Sequence, residues 1–339
     1  MEIRNETPFA HGIAVGMGPD RAAHLGVVVK GTFRIPERPG GAVEVADEQR
    51  PVATADEHHR GDPTASVRVE GDAVVFKPRA DVVLAGHAYA PRGRPVAERT
   101  VGLRVGRLER AIRVVGDRRW RVAPLTGAVT ASPPEPFAAM PLTFERAYGG
   151  FDHEGKGGCL QNPVGRGYLH AESSADGAAL PNLEDPRHPV RRWDDRPAPV
   201  GWGVFGRAWS PRSALAGRAT ERHPVFGLPA DFDPAFHNGA HPALQVPYLA
   251  GDEAVALRGV TPDGPRRFAL PGRRPRIALQ TRGAAANRAL RPVLDTLVLL
   301  PDDGVLTLTW RASLALALDL DQALALVAAV HIADGRPTG

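Results

Sequence analysis

The sequence predicts a mainly β fold, an antiparallel sandwich or open barrel with a long ordered irregular segment and few short helices. Gly and Pro number 37 and 33, an excess that suits turn-rich β structure better than helices. Short runs rich in Val and Leu recur between Gly and Pro turns, and some show the apolar–polar alternation of half-buried strands. The middle of the chain lacks such runs but carries many aromatic residues.

The N-terminal part, residues 1–131, is predicted to consist of strands. They are expected at residues 25–35, 67–76, 81–90, 100–105 and 111–115. Residues 106–109 suit a hairpin loop between the last two strands. Trp120 follows them as the expected core anchor.

The C-terminal part, residues 251–330, is again predicted to consist of strands. They are expected at residues 254–257, 267–270, 276–281, 296–300 and 305–316. The Pro-Asp-Asp-Gly stretch at 301–304 joins the last two as a tight turn. Residues 321–330 are the best helix candidate, with Asp321 as N-cap, although this Ala- and Leu-rich run also suits a final buried strand.

Between these parts lies a loop-rich stretch, residues 132–250, which we call the covering segment. A disordered linker would be poor in aromatic residues, whereas here Phe, Tyr and Trp alternate with Pro and Gly. Long irregular loops in compact domains tend to be functional when they are ordered. We therefore expect the covering segment to lie over a sheet face or its end, within one compact unit of residues 1–339.

Composition and charge argue against several classes of protein. Hydrophobic residues are 43% and charged residues 24%, values typical of a soluble folded protein. The net charge of +4 is mild and Arg is scattered among acids, so nucleic-acid binding is not indicated. A single cysteine, Cys159, excludes an internal disulfide and thiolate-only metal sites. With no secretory signal and no run of about 20 apolar residues, we expect a cytoplasmic protein that does not bind membranes.

Residues 231–238 bring two carboxylates and an imidazole within one short stretch, Asp-Phe-Asp-Pro-Ala-Phe-His-Asn. Asp231, Asp233 and His237, with Glu145, could act as metal ligands or as a base with its orienting group, which would make the chain a hydrolase. Alternatively, the two carboxylates cap turns before Pro234 while the phenylalanines serve as anchors. The second interpretation is favoured, because Asx-Pro turns use carboxylates in this way without catalysis.

Arginine side chains in the covering segment suggest scaffolding rather than chemistry. Glu145 and Arg146 precede a Tyr-Gly-Gly stretch, and Arg166 and Arg187 lie in other Gly- and Pro-rich turns. A guanidinium offers five donors and can satisfy several backbone carbonyls that have no ladder partner. We expect these residues to hold irregular backbone in place.

The order of short motifs resembles a bacterial family of type VI secretion system accessory proteins, long catalogued as a domain of unknown function. The likeness extends over about residues 10–315. It rests on Val-Val-Val-Lys-Gly-Thr-Phe at 27–33, Phe-Lys-Pro-Arg-Ala-Asp-Val-Val-Leu-Ala-Gly-His-Ala-Tyr-Ala-Pro at 76–91, Val-Gly-Asp-Arg-Arg-Trp at 115–120, Pro-Leu-Thr-Phe-Glu-Arg-Ala-Tyr-Gly-Gly at 141–150, Asn-Pro-Val-Gly-Arg-Gly at 162–167, Leu-Pro-Asn-Leu-Glu-Asp-Pro at 180–186 and Asp-Phe-Asp-Pro at 231–234.

The resemblance implies a non-enzymatic adaptor or chaperone that binds a secretion effector and assists its loading on the spike and PAAR tip. It implies no catalytic residue, cofactor or metal. The residues that match the family motifs are Phe144, Glu145, Arg146, Asn162, Arg166, Asn182, Asp185 and Asp231; Tyr148 and Asp233 join them as scaffold or partner-binding candidates. A structural or toxin-neutralising role and the hydrolase remain as alternatives.

An adaptor needs rigid aromatic anchors for its client, because such side chains lose little entropy on binding. The candidates are Tyr148, Phe151, Tyr168, Trp193, Trp202, Phe205 and Trp209. We expect most of them to be buried over the sheet and one or two to be exposed in an apolar patch. The client, the face that binds it and the oligomeric state are left open by the sequence.

Overall fold

The structure is a computed structural model, and it describes residues 2–152, 155–222, 227–282, 287–316, 324–325 and 327–335. In chain order, the strands of this part are β1 Glu2–Asn5, β2 Ala10–Met17, β3 Ala23–Arg34, β4 Glu44–Val45, β5 Glu57–His58, β6 Val67–Val69, β7 Ala80–Leu84, β8 His87–Tyr89, β9 Glu98–Val105, β10 Leu108–Val115, β11 Trp120–Val122, β12 Val129–Ala131, β13 Ala139–Pro141, β14 Tyr148–Gly149, β15 Arg166–Gly167, β16 Leu183–Glu184, β17 Gln245–Val246, β18 Ala254–Arg258, β19 Arg266–Ala269, β20 Arg276–Thr281, β21 Arg288–Leu290, β22 Val293–Leu300, β23 Val305–Ala315 and β24 Val327–Ala333. Short 3₁₀ helices lie at His59–Gly61, Pro91–Gly93, Phe144–Arg146, Glu172–Ser174, Arg212–Ala216, Pro234–His237, Pro242–Leu244 and Pro301–Asp303. The mainly β class predicted from the sequence is confirmed.

The largest sheet has seven strands in the order β17, β7, β22, β23, β3 and β2, with β4 beside β3. The two longest strands, β3 and β23, pair in antiparallel fashion over eleven residues of β23. β7 and β22 run parallel, so the sheet is mixed rather than purely antiparallel. β3 is buried along nearly its whole length, which explains its almost continuous apolar sequence.

The two faces of this sheet differ in polarity although both are buried. Side chains alternate along a strand, so Val29, Phe33 and the cross-strand neighbour Trp310 share one face and join the hydrophobic core. Lys30 and its cross-strand neighbour Thr309 lie on the opposite face and are exposed by only 3% and 1%. The sheet therefore has an apolar buried face and a polar buried face.

A second sheet has five strands in the order β16, β10, β9, β18 and β19. β9 and β10 form a hairpin with a two-residue turn at 106–107, where Gly106 has a φ of +55° that favours glycine. β16 pairs with β10 only at Arg113 and Val114. Along the rest of its outer edge, β10 has no strand beside it in the described part of the chain.

A third sheet of four strands has the order β1, β24, β20 and β21, with β1 parallel to β24. One continuous hydrophobic cluster contains residues of all three large sheets, among them Val29, Leu103 and Leu279. A smaller cluster surrounds Trp120, which is 2% exposed and packs with Leu180. The expectation of one compact unit stays a prediction, which this shared core supports.

The covering segment is irregular, as the sequence predicts. Its strands β13 to β17 have only two or three residues each, and five of the 3₁₀ helices lie in it. Proline and glycine interrupt every longer run, so few ladder hydrogen bonds can form. The backbone of this segment must obtain most of its hydrogen bonds in other ways.

Several boundaries expected from the sequence are wrong. The strand expected at 67–76 ends at Val69, because the chain then turns to direct Asp72 toward Lys30. The strand expected at 81–90 is two strands, β7 and β8, on either side of residues 85–86. β1 and β2 were not expected at all.

The helix expected at 321–330 is wrong over its last four residues, which belong to β24. β24 is the strand between β1 and β20, so pairing on both edges outweighs the helical preference of Ala and Leu. The final buried strand, the other interpretation of this run, is found there. Residues 321–323 and 326 lie outside the described part.

Candidate functional site

Asn162 ties three turns of the covering segment together from a fully buried position. Its side-chain Nδ2 donates to the carbonyl oxygens of Phe144 at 2.8 Å and Tyr148 at 3.0 Å. Its own carbonyl accepts from the N–H of Gly150 at 2.8 Å. The amide thus replaces the ladder that this backbone lacks, which is a scaffolding role.

Asn182 makes the corresponding link between the covering segment and the five-stranded sheet. Its Nδ2 donates to the carbonyl of Val115 and to Asp117 Oδ1, both at 2.9 Å. Arg146 Nη1 donates to the same Asp117 oxygen at 2.7 Å and to Asn182 Oδ1 at 3.2 Å. These residues form one network at the end of β10.

Glu145 and Arg166 complete the scaffold. The Glu145 carboxylate accepts from the N–H of Ser66 at 2.6 Å and from its hydroxyl at 2.9 Å. Burial raises the pKa of Glu145, but hydrogen bonds from Ser66, Thr143 and the backbone together outweigh it, and the pKa lies below its usual value. Arg166 Nε donates to the Glu145 carbonyl at 2.9 Å. Arg187 differs from the expectation, because its side chain is exposed and its ion-pair partner among the described residues is Asp185, at 3.5 Å.

The aromatic candidates divide into buried and accessible groups. Phe144, Phe205 and Trp209 pack edge to face with ring centroids 5.3 to 5.5 Å apart, in the hydrophobic core. Tyr148 and Trp202 are also buried, at 3% and 2% exposure.

Three aromatic candidates remain accessible. Tyr168 is half-buried, with the Arg196 guanidinium 4.9 Å from its ring centroid. Trp193 is half-buried against the cluster of Trp120. Phe151 is 58% exposed in a short loop of the covering segment, and it is the one candidate that the structure leaves mainly in solvent.

The three residues of the 231–238 stretch act separately. The Asp231 carboxylate accepts from the N–H groups of Arg218 and Ala219 at 2.8 to 2.9 Å, and these bonds lower its pKa. Asp233 accepts from the N–H of Ala235 at 2.8 Å and caps the 3₁₀ helix at Pro234–His237. Both carboxylates therefore cap backbone.

His237 is enclosed by rings rather than by acids. Its imidazole lies 5.4 Å from the ring of Phe232 and 6.2 Å from those of Phe76 and Phe236. Burial and the charge of Lys77 lower its pKa to about 4, so it is neutral at pH 7. Within the described ranges no group of three His, Cys, Asp or Glu side chains could hold a metal ion.

Sequence reasoning missed the charged residues on the polar face of the seven-stranded sheet. We call this group the polar layer: Lys30, Glu70, Asp72, Lys77, Asp81, Arg212, Asp295 and Arg311. Lys30 Nζ donates to Asp72 at 2.8 Å, and Lys77 Nζ donates to Asp81 at 2.7 Å. Burial lowers the pKa of Lys77, but the charges of Asp81 and Glu70 outweigh it and raise the pKa above its usual value. The signal in the sequence that could have indicated the polar layer is lysine, because the chain has only three lysines and two of them belong to this layer.

The remaining members of the polar layer are also paired. Arg311 forms an ion pair with Asp295, and its Nη2 donates to the Asp72 carbonyl at 3.0 Å. Arg212, from the covering segment, pairs with Glu70. The cavity lined by Glu70, Lys77 and Asp81 has a volume of about 10 Å³, which is room for one water molecule and not for a substrate. A second cavity, of about 130 Å³, lies beside Lys30. The polar layer therefore positions the covering segment on the sheet.

An apolar opening lies where β10 has no strand neighbour in the described residues, and we call it the edge groove. Its volume is about 470 Å³, and its walls are residues 109–111 of β10, 185–187, 198–202 and 241–244. Trp202 and Leu244 are buried in its walls, and Val200 is half-buried there. Among the residues singled out from the sequence, Asp185, Arg187 and Trp202 contribute to this groove.

Charged and polar side chains form the rim of the edge groove. Glu109 and Arg110 are exposed on β10, and Arg187 is exposed on the opposite wall. His241 accepts a bond from the N–H of Ala243 at 3.1 Å. Burial lowers the pKa of His241, so its ring is neutral and adds apolar surface to the wall. An apolar centre with a charged rim is the usual composition of a protein-binding site.

The fold and this groove define a mainly β protein with an open apolar groove at a sheet edge. A family model described as an uncharacterized protein conserved in bacteria (DUF2169) matches residues 20–311, and the chain belongs to this family. No curated protein and no solved structure matches the chain. The family description names no activity. In the part of the chain that the structure describes, no helix is long and apolar enough to cross a bilayer.

Proposed function

We propose that the chain is a non-enzymatic cytoplasmic adaptor that binds an extended segment of a protein partner in the edge groove. The partner we propose is a type VI secretion effector, which the chain would help to load on the spike and PAAR tip. The resemblance in motif order supports the secretion role, and the groove supports protein binding.

The observation that carries the proposal is the unpaired backbone of β10. Val105 and Leu108 flank the two-residue turn of the hairpin, so they form the hydrogen-bonded pair that closes it. The ladder then alternates, and the N–H and C=O groups of Glu109 and Ala111 point away from β9 toward the edge groove. Val115 lies an even number of residues from Glu109 and Ala111, so its backbone groups point the same way. Its N–H donates to the carbonyl of Asn182 at 2.8 Å, away from β9, which agrees with this direction.

A free strand edge beside an apolar groove suits β-augmentation, in which a partner segment adds as a further strand. Backbone bonds to Glu109 and Ala111 would hold the segment, and the walls at Val200 and Leu244 would receive alternate side chains. Arg110 Nη1 now donates to the Glu109 carbonyl at 2.8 Å, which protects the edge in the absence of a partner.

The hydrolase alternative gains no support from the geometry. Asp231 and Asp233 are occupied as caps, and His237 packs against phenyl rings. Glu145 is bonded to Ser66 rather than to any of these residues. A base needs its proton acceptor free and within reach of a substrate.

The test is co-expression of the chain with the proteins encoded on either side of its gene, followed by affinity purification and size-exclusion chromatography. We expect a stoichiometric complex that keeps a neighbour in solution. Ala198→Trp should fill the exposed mouth of the edge groove and weaken the complex about tenfold or more. Ala131→Trp, at an exposed position on β12, is the matched control and should leave the complex intact.

The outcomes separate the two parts of the proposal. The absence of any complex contradicts the adaptor role. A complex that forms equally well with Ala198→Trp contradicts the edge groove as the binding site but keeps the adaptor. Thermal melts of both variants show whether a loss of binding is only a loss of folding.

A further inference from the structure

A second surface with binding character lies on the outer face of the five-stranded sheet. Cross-strand register places Ala256 beside Arg104 on one side and Arg267 on the other, and Arg258 beside Gly102. Their inward-facing neighbours are buried, so these side chains point outward. With Arg99 they line a depression of about 610 Å³, which we call the arginine face.

The floor of the arginine face is made of very small residues. Gly102 pairs with Ala111, and Ala254 pairs with Ala269. Arg258 lies across Gly102, where a Cβ atom would be only 3.2 Å from its Nη2. The Arg258 guanidinium therefore rests on the sheet instead of extending freely into solvent, which reduces the entropy that it can lose on binding.

The arginines of this face have no acidic partner. In the described residues no carboxylate lies within 4.0 Å of Arg99, Arg104, Arg258 or Arg267. Arg104 donates instead to the carbonyl of Gly106 at 3.3 Å. Arg113, on the same side of the sheet, pairs with both Glu98 and Glu184. The chain thus neutralises Arg113 and Arg266 of this sheet by ion pairs and leaves the four arginines of the arginine face without one in the described residues. Glu109, the cross-strand neighbour of Arg104, is the acidic residue that lines the depression.

We propose that the arginine face docks a carboxylate-rich segment of a partner protein. Planar guanidinium groups bind carboxylates in bidentate fashion, and an extended or helical segment can approach a floor of Gly and Ala closely. The outer positions of β9, β10, β18 and β19 carry no aromatic side chain on which bases would stack, so the face suits an acidic protein better than a nucleic acid. This inference does not depend on the edge groove, although both surfaces include β10.

The test measures binding of a fluorescein-labelled polyglutamate peptide by fluorescence anisotropy at low ionic strength. Arg104→Glu with Arg267→Glu should raise the Kd about tenfold, and the neutral pair Arg104→Gln with Arg267→Gln should raise it about threefold. Arg288→Glu with Arg291→Glu changes the net charge equally at exposed positions near β21 and should change the Kd less than about twofold. Circular dichroism shows that each variant is folded, and the Gln pair serves if the Glu pair is not.

Three results would overturn the proposal. The wild-type chain could fail to bind the peptide. The control pair could weaken binding as much as the arginine-face pair, which would make the effect one of net charge. An oligothymidylate of equal charge could bind more tightly than the peptide at the same arginines, which would assign the face to nucleic acid.

Discussion

The seven-stranded sheet and the covering segment both bury backbone N–H and C=O groups, but they satisfy the hydrogen bonds of these groups in different ways. In the sheet, β3, β22 and β23 satisfy their backbone groups through long ladders. In the covering segment, strands are two or three residues long, and buried amide and guanidinium groups bond the backbone instead. A single side chain in the covering segment therefore satisfies more backbone hydrogen bonds than a side chain of an ordinary strand does.

The comparison also separates the two candidate surfaces. The edge groove lies where the covering segment stops short of β10, so its walls combine a regular strand edge with irregular loops. The arginines of the arginine face all lie on regular strands. Loops on a rigid scaffold are the usual place for variable recognition, so the groove is the more suitable surface for a specific client.

The largest expected effect tests whether the stability of the seven-stranded sheet depends on the buried ion pair between Arg311 and Asp295. Arg311→Met leaves the carboxylate of Asp295 buried without its partner on the polar face. We expect the free energy of unfolding to fall by about 3–5 kcal/mol, which urea denaturation would measure. Combining Arg311→Met with Asp295→Leu should recover most of this loss, because no lone charge remains. A single variant as stable as the wild type would show that the ion pair is not needed.

The sequence allowed the strands to be predicted better than the polar layer. The Val-rich pattern of β3 and the alternation in β9 and β10 are local signals. The polar layer joins residues far apart in the chain, such as Lys30 with Asp72 and Arg311 with Asp295, and no local pattern reports such pairing. Residues 321–330 were preferred as a helix, with a final buried strand as the alternative, for the same reason, since only tertiary pairing decides between them.

A smaller effect is expected from the scaffold of the covering segment. Asn162→Ala removes the donors to two buried carbonyls, those of Phe144 and Tyr148. We expect a loss of about 2–4 kcal/mol in the free energy of unfolding, because buried acceptors without donors are costly. Thr100→Ala, on an exposed position of β9 where the ladder holds the backbone, should change it by no more than about 0.5 kcal/mol. Equal losses in both variants would contradict the comparison.

The site was only partly predictable from the sequence. Motif order indicated the scaffold residues Asn162 and Asn182, since buried amides are what irregular backbone requires. The edge groove was missed, because a free edge depends on where β16 stops pairing with β10. Its loop residues 198–201 are small and apolar, and nothing in their spacing indicates a groove.

The smallest effect depends on pH and concerns how the covering segment is held against the sheet. Burial lowers the pKa of His237 from 6.5 to about 4. Between pH 6.5 and 4 the imidazole is protonated in the unfolded chain but neutral in the folded chain. The free energy of unfolding is therefore fully retained above pH 6.5 and falls as the pH drops toward 4, by up to about 3 kcal/mol. His237→Leu should remove this slope, and urea denaturation of both proteins at pH 7.5 and 4.5 measures it.

Hydrogen exchange should show the loosening first near Phe232 and Phe236 and not in β3, because the imidazole packs against those rings. An equal slope in the variant would mean that other groups control the acid response, and exchange that begins in β3 would mean that the covering segment and the sheet unfold as one unit.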